Sequence, residues 1–113
     1  MRSLLLGALI AAAMIGAERG ATAYTVIGYG GQTCGKWTQD RNYNEFGARL
    51  NEAWLLGFIS ARNGSSQAGF DITQDADNAG LFAWIDNYCA AHPLVLIADA
   101  AARLVTYLEA RRR

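Results

Sequence analysis

Pro93-Leu94-Val95-Leu96-Ile97-Ala98-Asp99-Ala100-Ala101-Ala102-Arg103-Leu104-Val105-Thr106-Tyr107-Leu108-Glu109-Ala110-Arg111-Arg112-Arg113 is the stretch that decides the fold class. Leu94, Ile97, Ala98, Ala101, Leu104, Val105 and Leu108 recur at helical spacing, while Asp99, Arg103 and Glu109 fall on the other side. Pro93 stands at the first-turn position, where its missing N–H costs nothing. The closing arginines suit the negative pole of a helix, or offer an electrostatic contact to an anionic surface. An amphipathic helix of this kind must bury its apolar stripe against other elements.

The segments upstream supply them. Asp77 to Ala91 has Leu81, Trp84, Ile85 and Tyr88 on one face, with Cys89 at its end. Asp71-Ile72-Thr73-Gln74-Asp75-Ala76-Asp77 faintly echoes a calcium loop, but Ala76 replaces the turn glycine and Phe82 stands where the bidentate glutamate belongs. The competing reading is a helix N-cap by Asp75 or Asp77.

Asn44 to Arg62 predicts a long helix, capped by Asn44 at its start and by Asn63-Gly64 at its end. Phe46, Leu50, Trp54 and Phe58 recur every four residues, and Leu55, Leu56 and Ile59 widen the apolar face. Such a helix is either wrapped by its neighbours or presents surface to a partner. Leu55, Leu56 and Ile59 lie outside the main row and are the expected partner contact. Gly57 predicts a close helix crossing. Cys34 to Arg41 predicts a short helix capped by Thr33, with Trp37 on the same face as Cys34. One buried cluster of Trp37, Trp54, Phe58, Trp84 and Leu104 is expected. The fold class is all-α: one short and three longer helices over residues 34–113.

The N-terminus reads as an export signal. Arg2 is the charged start, Leu4 to Ala17 is an apolar run of 14 residues, and Ala21-Thr22-Ala23 precedes an expected cut at Tyr24. A membrane span needs about 20 residues, so the alternative of an uncleaved anchor is disfavoured. Residues 24–33 are glycine-rich and read as a flexible arm. Gly28-Tyr29-Gly30-Gly31 lacks the spacing and the lysine of a phosphate loop.

Two cysteines behind an export signal predict a Cys34–Cys89 disulfide. Of ten basic and ten acidic residues, Arg2, Arg19 and Glu18 belong to the signal, leaving eight and nine. The mature chain is nearly neutral, which argues against a nucleic-acid partner. Neither a catalytic set nor a cofactor motif is expected. His92 is the single histidine, and the backbone before Pro93 disfavours a helical Cys89–His92 dyad. Metal ligands are too few for zinc, and the serines lack a base and a G-x-S-x-G frame.

Cys34-Gly35-Lys36-Trp37, Trp54-Leu55-Leu56-Gly57-Phe58 and Tyr88-Cys89-Ala90-Ala91-His92-Pro93, followed by an alanine-rich helix, together resemble the HdeA/HdeB group. That group comprises small helical periplasmic proteins with one disulfide, whose founding members are acid-activated chaperones. The segment from Trp54 onward also resembles the Rap/Tai immunity proteins, which neutralise type VI secretion effectors. The resemblance implies a periplasmic protein without enzymatic activity or membrane attachment in mature form. It would hold unfolded clients or a protein partner and could form a homodimer. The alternatives are an immunity-type inhibitor of a secreted effector and, more remotely, a small hydrolase.

Overall fold

A computed structural model of the protein describes residues 25–111; the expected export signal and the last two arginines lie outside them. Four helices follow in order: α1 (Cys34–Tyr43), α2 (Glu45–Ser65), α3 (Asn78–Ala91) and α4 (Ile97–Ala110). The all-α class and the one-short, three-longer pattern are as read from the sequence, and no strand occurs among the described residues.

Side-chain caps set three of the starts. Thr33 Oγ1 accepts from Lys36 N, Asn44 Oδ1 from Gly47 N, and Asp77 Oδ1 from Gly80 N. Of the two aspartates considered for α3, Asp77 is thus the cap. The end of α2 differs from expectation: Asn63 and Gly64 are helical, and Ser66 is the C-terminal cap. The start of α4 differs too. Pro93 lies in a turn ahead of the helix, and Leu94 is 89% exposed.

That turn has another use. The first N–H groups of α1 need acceptors from outside the helix, and Cys34 N and Gly35 N donate to Val95 O and Pro93 O, each at 2.8 Å. Ile97 N donates in return to Gln32 O at 2.8 Å. Beside this seam Cys34 and Cys89 are disulfide-bonded, with Cα atoms 4.7 Å apart. The bond fixes the start of α1 to the end of α3. Trp37 shares the core cluster with both cysteines and is fully buried.

The core gathers Trp37, Leu55, Ile59 and Ile72 with Leu81, Ile85 and the inner face of α4. Trp37 and Leu104 are buried as expected, but Trp54, Phe58 and Trp84 are only half-buried at its edge. The expected cluster of five is therefore two core residues and three edge residues. Within the expected arm of residues 24–33, the described residues 25–33 also depart from the picture of a free arm. Tyr29–Gly31 forms a single 3-10 turn laid on α2 and α4. Trp54 Nε1 donates to Ile27 O at 2.8 Å, and a Cβ on Gly30 would overlap the Trp54 ring. The glycines there permit close packing on an indole.

Candidate functional site

Leu55 and Ile59 do not form a surface. Both sit in the core, and Leu56 is half-buried against it. The expected partner contact is corrected for a geometric reason. A row of every fourth residue drifts by about 40° per step around a helix of 3.6 residues per turn. The Phe46–Leu50–Trp54–Phe58 row therefore begins in solvent, with Phe46 74% exposed, and only grazes the core. The face of α2 that packs inward is Gly47, Ala48, Asn51, Glu52, Leu55 and Ile59. It contains two polar side chains, which a hydrophobic pattern does not count. Gly57 is corrected as well: nothing lies within 4 Å of a Cβ built there, so no helix crosses at that point.

The polar residues on the inner face of α2 belong to a charge network between α1, α2 and α3. Asp40 is buried; its carboxylate accepts from Lys36 Nζ at 2.7 Å and from Asn51 Nδ2 at 2.9 Å. Arg41 donates Nη1 to Glu52 at 2.7 Å, and Nε and Nη2 to the two oxygens of Asp86 at 2.9 Å each. Trp37 Nε1 donates to the same Asp86 at 2.8 Å. Arg49 closes the set on Glu52 at 2.8 and 3.0 Å. The Arg41 guanidinium lies 6.0 Å from the Trp37 ring and 5.8 Å from that of Phe82. Its pKa is raised, chiefly by the hydrogen bond to Asp86, against desolvation and with help from the charges of Asp86 and Glu52. Every positive charge here has an acid partner, so the cluster locks helices together and offers little to a ligand.

The surface carries the second feature. Trp84 and Tyr88 stack with centroids 5.4 Å apart, and Tyr88 and His92 at 4.2 Å. Tyr107 of α4 joins at 5.8 Å from Trp84. The spacing i, i+4, i+8 along α3 makes this a stripe of four rings on the outside of the α3–α4 pair. His92 caps α3, with Nδ1 2.9 Å from Tyr88 O. With Cys89 held in the disulfide, a thiol–imidazole pair does not exist.

Asp71 serves its own loop. One carboxylate oxygen accepts from Thr73 N at 2.9 Å, Thr73 Oγ1 at 2.7 Å and Asn63 Nδ2 at 2.8 Å. These bonds favour the ionised form and lower its pKa, the Thr73 hydroxyl most. Among the described residues no cluster of His, Cys, Asp or Glu has the makings of a metal site, and no helix is long and apolar enough to cross a membrane. Comparison with protein-family models, with curated proteins and with solved structures finds no match to this chain.

The sequence reading missed Arg41, Glu52 and Asp86, since charges 45 positions apart leave no periodic trace. It also missed Tyr107, which sits beside the apolar stripe of α4. The Trp84–Tyr88–His92 spacing was a signal open to it.

Proposed function

We propose that this is a non-enzymatic protein of an extracytoplasmic compartment that holds unfolded or partner proteins on the aromatic surface of α3. The ring stripe of Trp84, Tyr88, His92 and Tyr107 is the observation that carries this reading. Aromatic side chains give large apolar contact area with polar tips, and they are enriched where proteins bind one another. The disulfide and the Arg41–Asp86 pair tie α1 to α3, the helix that carries most of the stripe. That makes the stripe a rigid platform, which reduces the ordering cost of binding. The resemblance to the HdeA/HdeB group supports the same class of function.

Light scattering of a thermally unfolding client enzyme, with and without the purified mature protein, tests it. Wild-type protein at stoichiometric ratio should suppress aggregation. A Tyr88→Ala/Tyr107→Ala variant, shown to be folded by circular dichroism, should not. No suppression by wild type at neutral or acid pH would defeat the holding role. A tight complex with one secreted enzyme, without effect on unfolded clients, would favour the immunity-type role instead.

A further inference from the structure

The outer face of α2 reverses the usual polarity of a surface helix. Phe46, Leu50, Ala53, Gly57 and Ala61 are spaced by four, three, four and four residues. At about 100° per residue that spacing holds them on one stripe. The stripe lies opposite the packed face of Ala48, Asn51, Glu52, Leu55 and Ile59. Phe46 is 74% exposed, Ala53, Gly57 and Ala61 are exposed, and Leu50 is half-buried. From Leu50 to Ala61 the single charged side chain is Glu52, and it is buried. A helix face turned to water ordinarily carries charged and polar groups. Here Asn51 and Glu52 point inward, and about three turns of the outer side carry no charge. Gly57 is a second anomaly. Glycine is disfavoured against alanine in mid-helix, yet among the described residues nothing lies within 4 Å of a Cβ built there. The packing of this chain on itself gives no reason for a glycine at that position.

We infer that this face joins two copies of the chain, α2 lying antiparallel on α2 of the second copy across a twofold axis beside Ala53 and Trp54. The stripe is large at its Phe46–Leu50 end and small at its Gly57–Ala61 end. About an axis between residues 53 and 54, Leu50 of one copy meets Gly57 of the other, and Phe46 meets Ala61. A twofold contact makes each pairing twice. The small half therefore receives what the large half of the same helix supplies. A parallel pair would set Phe46 on Phe46 and leave a gap between glycines. Small residues at the crossing also let the two helix axes come close, near 8 Å. The flanking cations are engaged beside the seam: Arg49 donates to Glu52 at 2.8 Å, and the Arg62 guanidinium lies 5.9 Å from the Phe58 ring. The strip from Phe46 to Ala61 is about 24 Å long and about 10 Å wide. Such a contact covers on the order of 500 Å² of accessible surface per copy, close to the lower bound of about 1,000 Å² in total for a specific interface. It suits a reversible dimer with a dissociation constant of about 1–100 µM. The contact is separate from the aromatic stripe of α3 and does not depend on the holding role.

Sedimentation equilibrium of the purified mature protein, from roughly 5 µM to 1 mM so as to bracket a weak dimer, is the test. Wild type should follow a monomer–dimer equilibrium. Gly57→Leu puts a good helix former into open space, so it should stay folded by circular dichroism and dimerise about tenfold or more weakly. Leu50→Ala/Gly57→Leu exchanges the large and small positions across the axis and should return to within about threefold of wild type. That rescue is specific to the antiparallel register. Phe46→Ala, outside the core, should also weaken dimerisation and decides the matter if the double variant does not fold. Tyr88→Ala/Tyr107→Ala should dimerise like wild type. A monomer over the whole range would overturn the inference. So would Gly57→Leu dimerising as well as wild type, a folded double variant no tighter than Gly57→Leu, or a dimer lost in the tyrosine variant instead. A dimer that passes these tests while wild type fails to suppress client aggregation would keep the α2 contact and remove the holding role, so the two failures are distinct.

Discussion

Arg41 grips Asp86 with two parallel bonds, Nε to Oδ1 and Nη2 to Oδ2, both 2.9 Å, and so fastens α1 to α3 across 45 residues of chain. The fork matches the carboxylate in a way that a lysine cannot. Glu52 takes the remaining Arg41 nitrogen and brings in α2. Arg41→Lys should therefore cost about 1–2 kcal/mol despite keeping the charge. A double-mutant cycle of Arg41→Ala and Asp86→Ala by urea unfolding should give a coupling of about 1–2 kcal/mol. A coupling near zero would show the pair to be decorative.

Leu55 and Phe46 separate the inner face of α2 from its outer face. Leu55→Ala removes a fully buried side chain from the core and should cost about 2–5 kcal/mol. Phe46→Ala should change stability by about 0.5 kcal/mol or less, since Phe46 is 74% exposed. Thermal unfolding of the two variants measures both. The reverse order would mean that α2 is turned the other way.

How much of this was legible follows from the same helix. The presence of four helices, the caps at Thr33 and Asn44, and the disulfide follow from local rules and from cysteine count, while the α3 cap was narrowed only to Asp75 or Asp77. The rotation of α2 did not follow, because its inward face includes Asn51 and Glu52. Those residues are tolerated inside only because Asp40, Arg41 and Arg49 meet them. Partners at that distance in sequence are invisible to a periodicity argument. The docking of residues 27–31 was hidden for a similar reason: glycines that read as freedom serve as clearance for Trp54.

Two glycines of α2 should respond oppositely to alanine. A Cβ on Gly47 would stand 2.8 Å from Asp40 Cγ and Oδ2 and 2.9 Å from Asn44 Nδ2. Asp40 is held by Lys36 and Asn51 and has little room to yield. Gly47→Ala should destabilise by about 1–3 kcal/mol through overpacking. Gly57 faces open space in mid-helix, so Gly57→Ala should stabilise by about 0.5–1 kcal/mol. Chemical denaturation of each variant gives the sign directly.

Asp71 supplies the pH-dependent prediction. Its folded pKa lies below the usual value because Thr73 and Asn63 donate to the carboxylate. A depressed folded pKa means that the unfolded chain takes up the proton first as pH falls. The loop contribution is therefore complete above the unfolded value of about 3.9 and is lost below it, as pH drops through the folded pKa. A ¹³C NMR titration of the Asp71 carboxyl should show a midpoint below that of an unperturbed aspartate, and Asp71→Asn should remove that titration. A midpoint at or above the usual value would contradict the hydrogen bonds.

Reduction of Cys34–Cys89 should be the most costly single change. The bond closes a loop with a sequence separation of 55 and lies at the place where α1 begins, α3 ends and the 93–97 turn crosses. Opening a loop of that length costs roughly 4 kcal/mol in the chain-entropy model. A domain this small holds only a modest reserve, about 5–15 kcal/mol for proteins in general. Cys34→Ser/Cys89→Ser should accordingly unfold at a much lower urea concentration, with the loss of α1 docking visible as a red shift of Trp37 emission. Thiol titration of the denatured, unreduced wild type should find no free thiol. Two free thiols, or a double serine variant as stable as wild type, would show that the charge network alone holds α1 in place.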